Sequence, residues 1–142
     1  MERRVTLTGD AQLALAEGAT LCRQANLAIF TPEHLLAGAL LSLRSTGVEG
    51  LPEPAAVVSA LDMIHGSGED VPPDDVSLGP GARDLLDAVA MAAIEAGRDS
   101  IGARDLAVAV VRSGDATPMF FTAMGMSRDS LLAALTRTLR DS

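Results

Sequence analysis

The stretch that decides the fold is Ala28-Ile29-Phe30-Thr31-Pro32-Glu33-His34-Leu35-Leu36-Ala37-Gly38-Ala39-Leu40-Leu41. Within it, Thr31-Pro32-Glu33 predicts a helix start. The Thr hydroxyl can accept an orphan backbone N–H, and the donor that proline lacks is not needed at the first helical position. Leu35, Leu36, Ala39, Leu40 and then Leu43 return at helical spacing and predict a buried face.

Toward the N-terminus, Ala11, Leu15, Ala19, Cys22, Ala25 and Ile29 fall three or four apart, with Asp10, Glu17 and Gln24 recurring on the other side. This predicts a helix. Leu13, Leu21 and Leu27 add a second apolar flank, so the helix is expected to sit centrally and, through its alanines, to pack closely. Toward the C-terminus, Gly47 and Gly50 bracket a short turn or single helical turn. Pro54 opens a helix with Val57, Val58, Leu61 and Ile64 inward, and Gly66 ends it. An acidic, Pro/Gly-containing linker is expected over 67–77. Its carboxylates form no calcium loop, because Pro72-Pro73 interrupts them and no Asp-x-Asp-x-Asp-Gly run occurs.

The pattern then begins again. Pro80 takes a first helical position, with Ala82, Leu86, Ala90, Ala93 and Ala96 on one stripe. A helix over about 104–112 runs through Leu106, Ala109, Val110 and Val111. Thr117-Pro118 repeats the Thr-Pro start for a helix from Met119 to Met124, and Ser127 caps a last helix carrying Leu131, Leu132, Leu135 and Leu139. Sliding the chain on itself by 71 residues pairs Leu7 with Leu78, Ala11 with Ala82, Leu15 with Leu86, Ala19 with Ala90, Ala25 with Ala96 and Leu35 with Leu106. Every match falls on an apolar stripe, and Phe30 pairs with Ile101 just before each second helix. The expected fold is all-α: eight helices as two pseudo-symmetric four-helix repeats, about 7–66 and 78–140, forming one domain.

Composition excludes several functions. The 142 residues hold 11 Lys+Arg against 19 Asp+Glu, a net charge of −8 with no basic run, so the electrostatic footprint for nucleic acid or an anionic membrane is missing. Three Phe and no Tyr or Trp leave no stacking platform for bases or sugars. No signal peptide or membrane-spanning stretch is readable, and the single Cys22 cannot close an intrachain disulfide, so a cytoplasmic setting is expected. Two histidines and one cysteine without ligand spacing argue against zinc, and no cofactor is expected. Ser, His and Asp are present without a Gly-x-Ser-x-Gly elbow, and no Gly-x-x-x-x-Gly-Lys-Ser/Thr phosphate loop occurs.

The run from Ala28 to Leu41 resembles the Thr-x-Glu-His-Leu-Leu-x-x-Leu-Leu segment of the N-terminal domain of Clp-type AAA+ unfoldases. Ser100-Ile101-Gly102-Ala103-Arg104-Asp105-Leu106-Ala107-Val108-Ala109-Val110-Val111 looks like a worn second copy, and the resemblance extends from Leu7 to about Leu139. It implies a non-catalytic module that docks protein or peptide partners: Clp substrates, adaptors or Clp subunits. Such a chain would serve as an adaptor, decoy or protective binder. The alternative is an N-terminal piece of a complete ATP-dependent unfoldase. A small helical enzyme would need a pocket with convergent titratable groups.

The resemblance also points to residues. In Clp domains of the Gram-positive branch, the Glu of this segment recognises phosphorylated arginine on marked proteins, and Glu33, beside Thr31, is its match here. A carboxylate at a helix start can hold a guanidinium bidentately while nearby N–H groups face the phosphate. An acidic residue in a first turn also stabilises the helix dipole, and both readings stay open. The second-half position is Arg104, and Pro32 stands where that branch commonly has Thr. His34 is expected to belong to the motif's packing, and Cys22 to be a buried hydrophobe. Met119, Phe120 and Phe121 form a second candidate partner surface, since Met and Phe make adaptable contacts, with part of the cluster required by the core.

Overall fold

Residues 5–66, 76–114 and 116–141 are described by a computed structural model. Among them are seven helices and four strands of two residues each. In chain order these are β1 (Thr6–Leu7), α1 (Gly9–Gln24), β2 (Ile29–Phe30), α2 (Pro32–Ser45), α3 (Pro54–His65), β3 (Ser77–Leu78), α4 (Pro80–Glu95), β4 (Ser100–Ile101), α5 (Ala103–Ser113), α6 (Pro118–Met124) and α7 (Arg128–Asp141). Most of the expected 67–77 linker and the side chain of Leu139 lie outside the described residues.

The helical class and most helix boundaries follow from the sequence. Pro32, Pro54, Pro80 and Pro118 each stand first in their helices. The eighth helix does not form among the described residues. Gly47 and Gly50, at φ 96° and 82°, make the path from Ser45 to Pro54 a turn, because an L-residue pays heavily for that backbone conformation whereas glycine does not. The expected first helix also stops short of Ile29. Asn26 at φ 58° breaks it, and Ile29 enters a strand.

The strands are a feature that periodicity could not show, since two residues define no period. β1 pairs in parallel with β4 and β2 with β3, in the registers Thr6↔Ser100, Leu7↔Ile101, Ile29↔Ser77 and Phe30↔Leu78. Each pair therefore joins one half of the chain to the other. The element bounds keep the 71-residue offset: α1 maps onto α4 at both ends, β1 onto β3, β2 onto β4, and the start of α2 onto the start of α5.

The core is centred on α2, which packs against α1, α3, α4 and α5. Leu35, Leu36, Ala39, Leu40 and Leu43 are all buried, as the spacing predicts. In α1, Ala11 and Cys22 of the expected stripe are buried, but Ala14, Gly18 and Leu21 join them in place of Leu15 and Ala19, which are half-buried, and Leu13 is exposed. Small residues dictate the shift. A Cβ on Gly38 would overlap the carbonyl oxygen of Ala14, and one on Gly18 would come within 2.6 Å of the Phe30 ring. The two backbones can meet only where side chains are smallest. Ser42, fully buried beside them, donates its hydroxyl to the Asp10 carbonyl at 2.6 Å.

Candidate functional site

The N-terminus of α2 is a buried polar cluster. Thr31 caps the helix: its hydroxyl accepts the His34 N–H at 3.4 Å, while His34 Nδ1 accepts the Thr31 N–H at 3.2 Å. This is a capping box with histidine in the place usually held by Glu or Gln. The Thr31 hydroxyl lies 2.7 Å from the same Nδ1. A nitrogen that accepts a backbone N–H carries no proton, so His34 is the neutral imidazole. Burial first, and the adjacent His65 ring second, hold its pKa down at about 4.

Glu33 is buried in the same cluster, and both of its oxygens are engaged. Oε1 accepts from His65 Nε2 at 2.8 Å, and Oε2 accepts the Thr117 N–H at 3.1 Å and the Thr117 hydroxyl at 2.9 Å. His65 stacks at a tilt over His34, ring centroids 4.8 Å apart. Three elements thus converge on the start of α2: the end of α3 through His65, the residue before α6 through Thr117, and the cap itself. Sequence reasoning placed Thr31 and Glu33 together but left His65 and Thr117 outside the group. Pairings across 32 and 84 residues have no local signature.

The corresponding end of α5 is built with opposite charges. Gly102 takes the cap position, and Asp105, at the place of His34, accepts the Gly102 N–H at 2.8 Å. Arg98 closes on Asp105 with two hydrogen bonds at 3.0 and 2.7 Å. Burial alone would raise the Asp105 pKa. The Arg98 hydrogen bonds, the Gly102 N–H and the charges of Arg98 and Arg104 outweigh it and hold the carboxyl below its usual value.

The Met/Phe cluster divides. Phe120 and Phe121 are buried in the core, while Met119 is 60% exposed. The helix that carries them, α6, packs against α3, whose Val58 and Met63 are also exposed. A cavity of about 290 Å³ lies between α3 and the end of α1, with Leu21, Leu27, His34, Val58 and Leu61 among its walls. Cys22 is fully buried, and desolvation pushes its thiol up to about 11, which makes it a poor nucleophile. Among the described residues no group of three His, Cys, Asp or Glu could hold a metal ion, and no helix is long and apolar enough to cross a membrane.

A helical body closed by two crossed pairs of minimal parallel strands, with a Thr-capped Glu-His helix at its centre, has the fold of a Clp N-terminal domain. Two solved structures place it there. It superposes on the N-terminal domain of the caseinolytic protease associated chaperone ClpD from Arabidopsis thaliana with a TM-score of 0.74 and 16% identity, covering 94% of this chain and 96% of that one. Against the Hsp104 N-terminal domain from Candida albicans the TM-score is 0.72 at 14% identity, over 96% of this chain and 93% of that one. No family profile matches the sequence, and no curated protein matches it either. The likeness is therefore one of fold, spread over the whole body rather than confined to one motif.

Proposed function

We propose that this chain is a non-catalytic docking module for polypeptides, one that holds substrates or adaptors of Clp-type proteolysis. The observation that carries the reading is the match, over nearly the whole chain, to the N-terminal domains of a protease-associated chaperone, ClpD, and of Hsp104. The exposed apolar side chains on the packed pair α3 and α6 support it, because Met63 and Met119 offer unbranched, polarizable contacts suited to partners of varied shape. We read the body as two pseudo-symmetric repeats, about 7–66 and 78–140, and the shared 71-residue offset of strands and helices supports that duplication. Both neighbours being N-terminal domains also favours a second setting for the same module, as the intake end of a larger unfoldase.

Within this reading Glu33 acts first as an internal strut. A guanidinium could reach its carboxylate only by displacing His65 and Thr117, and a buried donor left behind costs about 1–3 kcal/mol. A phosphoarginine site there would need that exchange.

Both points are tested on one sample, with the methionine methyls labelled with carbon-13 and the backbone amides with nitrogen-15. Titration with a permanently unfolded polypeptide, reduced and carboxymethylated lactalbumin, is expected to shift the Met63 and Met119 methyls and leave buried Met124 in place. Free phosphoarginine is expected to leave the His65 and Thr117 amides unmoved. Silence at Met63 and Met119 would remove the docking face. Saturable shifts at His65 and Thr117 would restore Glu33 as a ligand.

A further inference from the structure

Positions 71 residues apart occupy corresponding places in the two halves, and at the helix crossing they differ in size. Gly18 and Gly38 of the first half correspond to Val89 and Ala109 of the second. Where α1 and α2 meet, the glycines bring backbone onto backbone. Where α4 and α5 meet, Val89 and Ala109 instead line a cavity of about 310 Å³, to which Val108 of α5 and Thr136 of α7 also contribute.

The charged side chains of that cavity are Arg98, Arg104, Arg112 and Asp105. Arg98 and Asp105 neutralise each other. Among the described residues Arg104 and Arg112 have no carboxylate within salt-bridge distance, and the buried Nε of Arg104 has no hydrogen-bond acceptor. Arg104, Val108 and Arg112 stand four apart on α5, so two guanidiniums bracket an apolar patch along about 12 Å of one helix face. A guanidinium presents a planar fork that a carboxylate fills, and a buried N–H gains most from an acceptor that arrives desolvated with it. The net charge of −8 opposes an extended polyanion such as nucleic acid. A single carboxylate set between aliphatic groups suits the apolar walls, the small volume and the two local cations together.

We propose that the groove between α4 and α5 binds an acidic segment of a partner polypeptide, an Asp or Glu flanked by aliphatic side chains. Arg104 pairs with the carboxylate, Val89, Val108 and Ala109 receive the aliphatic neighbours, and Arg112, two turns further along α5, adds a second positive charge to the groove. The proposal rests on the docking reading above and gives one surface of it a chemical preference.

The test uses the full chain labelled with nitrogen-15 and a blocked pentapeptide that alternates leucine with aspartate or glutamate. The Arg104 Nε–Hε signal and the Val108 and Ala109 amides are expected to shift saturably. The peptide carrying asparagine and glutamine instead should bind about tenfold more weakly. Arg104→Gln should weaken the acidic peptide by a similar factor and Arg112→Gln by less, both keeping the amide spectrum of the folded chain. Equal affinity for the amide peptide, a silent Arg104 Nε–Hε, or equal response to inorganic phosphate alone would overturn the proposal. The Met63 and Met119 methyls separate the two readings. Their failure with unfolded lactalbumin removes the α3 and α6 face, and failure at Arg104 with the acidic peptide removes this groove.

Discussion

At the scale of single residues, His34 ties stability to pH. Its folded pKa is about 4 against an ordinary 6.5, so between those values the unfolded chain binds more protons than the folded one. The stability it contributes is complete above pH 6.5 and is lost as pH falls toward 4, an effect of about 3 kcal/mol by linkage. Urea unfolding at pH 7 and at pH 4.5 should show a lower midpoint at the acid value, and His34→Gln should flatten the difference. An equal drop in both proteins would assign it to other groups. Thr31, Glu33 and His34 were legible as a helix start because a cap is local chemistry. The partners that turn them into a buried cluster were not, because His65 and Thr117 are brought in by the packing of α3 and α6, which no spacing in the sequence encodes.

Among the elements, the crossing of α1 over α2 fixes how closely the first half packs, and Gly38 controls it. Replacing glycine by alanine inside a helix ordinarily stabilises by about 0.5–1 kcal/mol, since alanine loses less backbone entropy. Here the added methyl would overlap the Ala14 carbonyl and stand 2.8 Å from the Gly18 nitrogen, so the helices must part. Overpacking of that kind costs about 1–3 kcal/mol and reverses the sign. Gly38→Ala is expected to lower Tm by about 5 °C. Gly9→Ala, with nothing within 4 Å of its Cβ, should not lower it. A Gly38→Ala protein as stable as its parent would mean that the two backbones do not touch. Helix starts were readable because Thr and Pro mark them, whereas the buried face of α1 was displaced from the expected one. Hydrophobicity points to Leu13 and Leu15, but close approach selects Ala14 and Gly18.

For the whole molecule, the two halves share one interior rather than meeting as finished units. Strand β1 pairs with β4 and β2 with β3, the Ala103 N–H donates to Asp10 across the halves at 3.3 Å, and Glu33 holds Thr117. Helix α2, whose inner face is almost wholly buried, packs on α5 of the other half. A chain of about 70 residues is already marginal in the surface it can bury. Without its counterpart, each half would expose that face together with unpaired strand backbone. Polypeptides 1–71 and 72–142, made separately, are therefore expected to show weak helical circular dichroism and no cooperative urea transition. Mixed in equal amounts, they should recover helix with a concentration dependence, because the strand pairs and the Glu33 contact can form only between them. A cooperative transition in either polypeptide alone would place a complete core inside one repeat. The groove between α4 and α5 would then have to be explained without reference to the tighter crossing of α1 and α2.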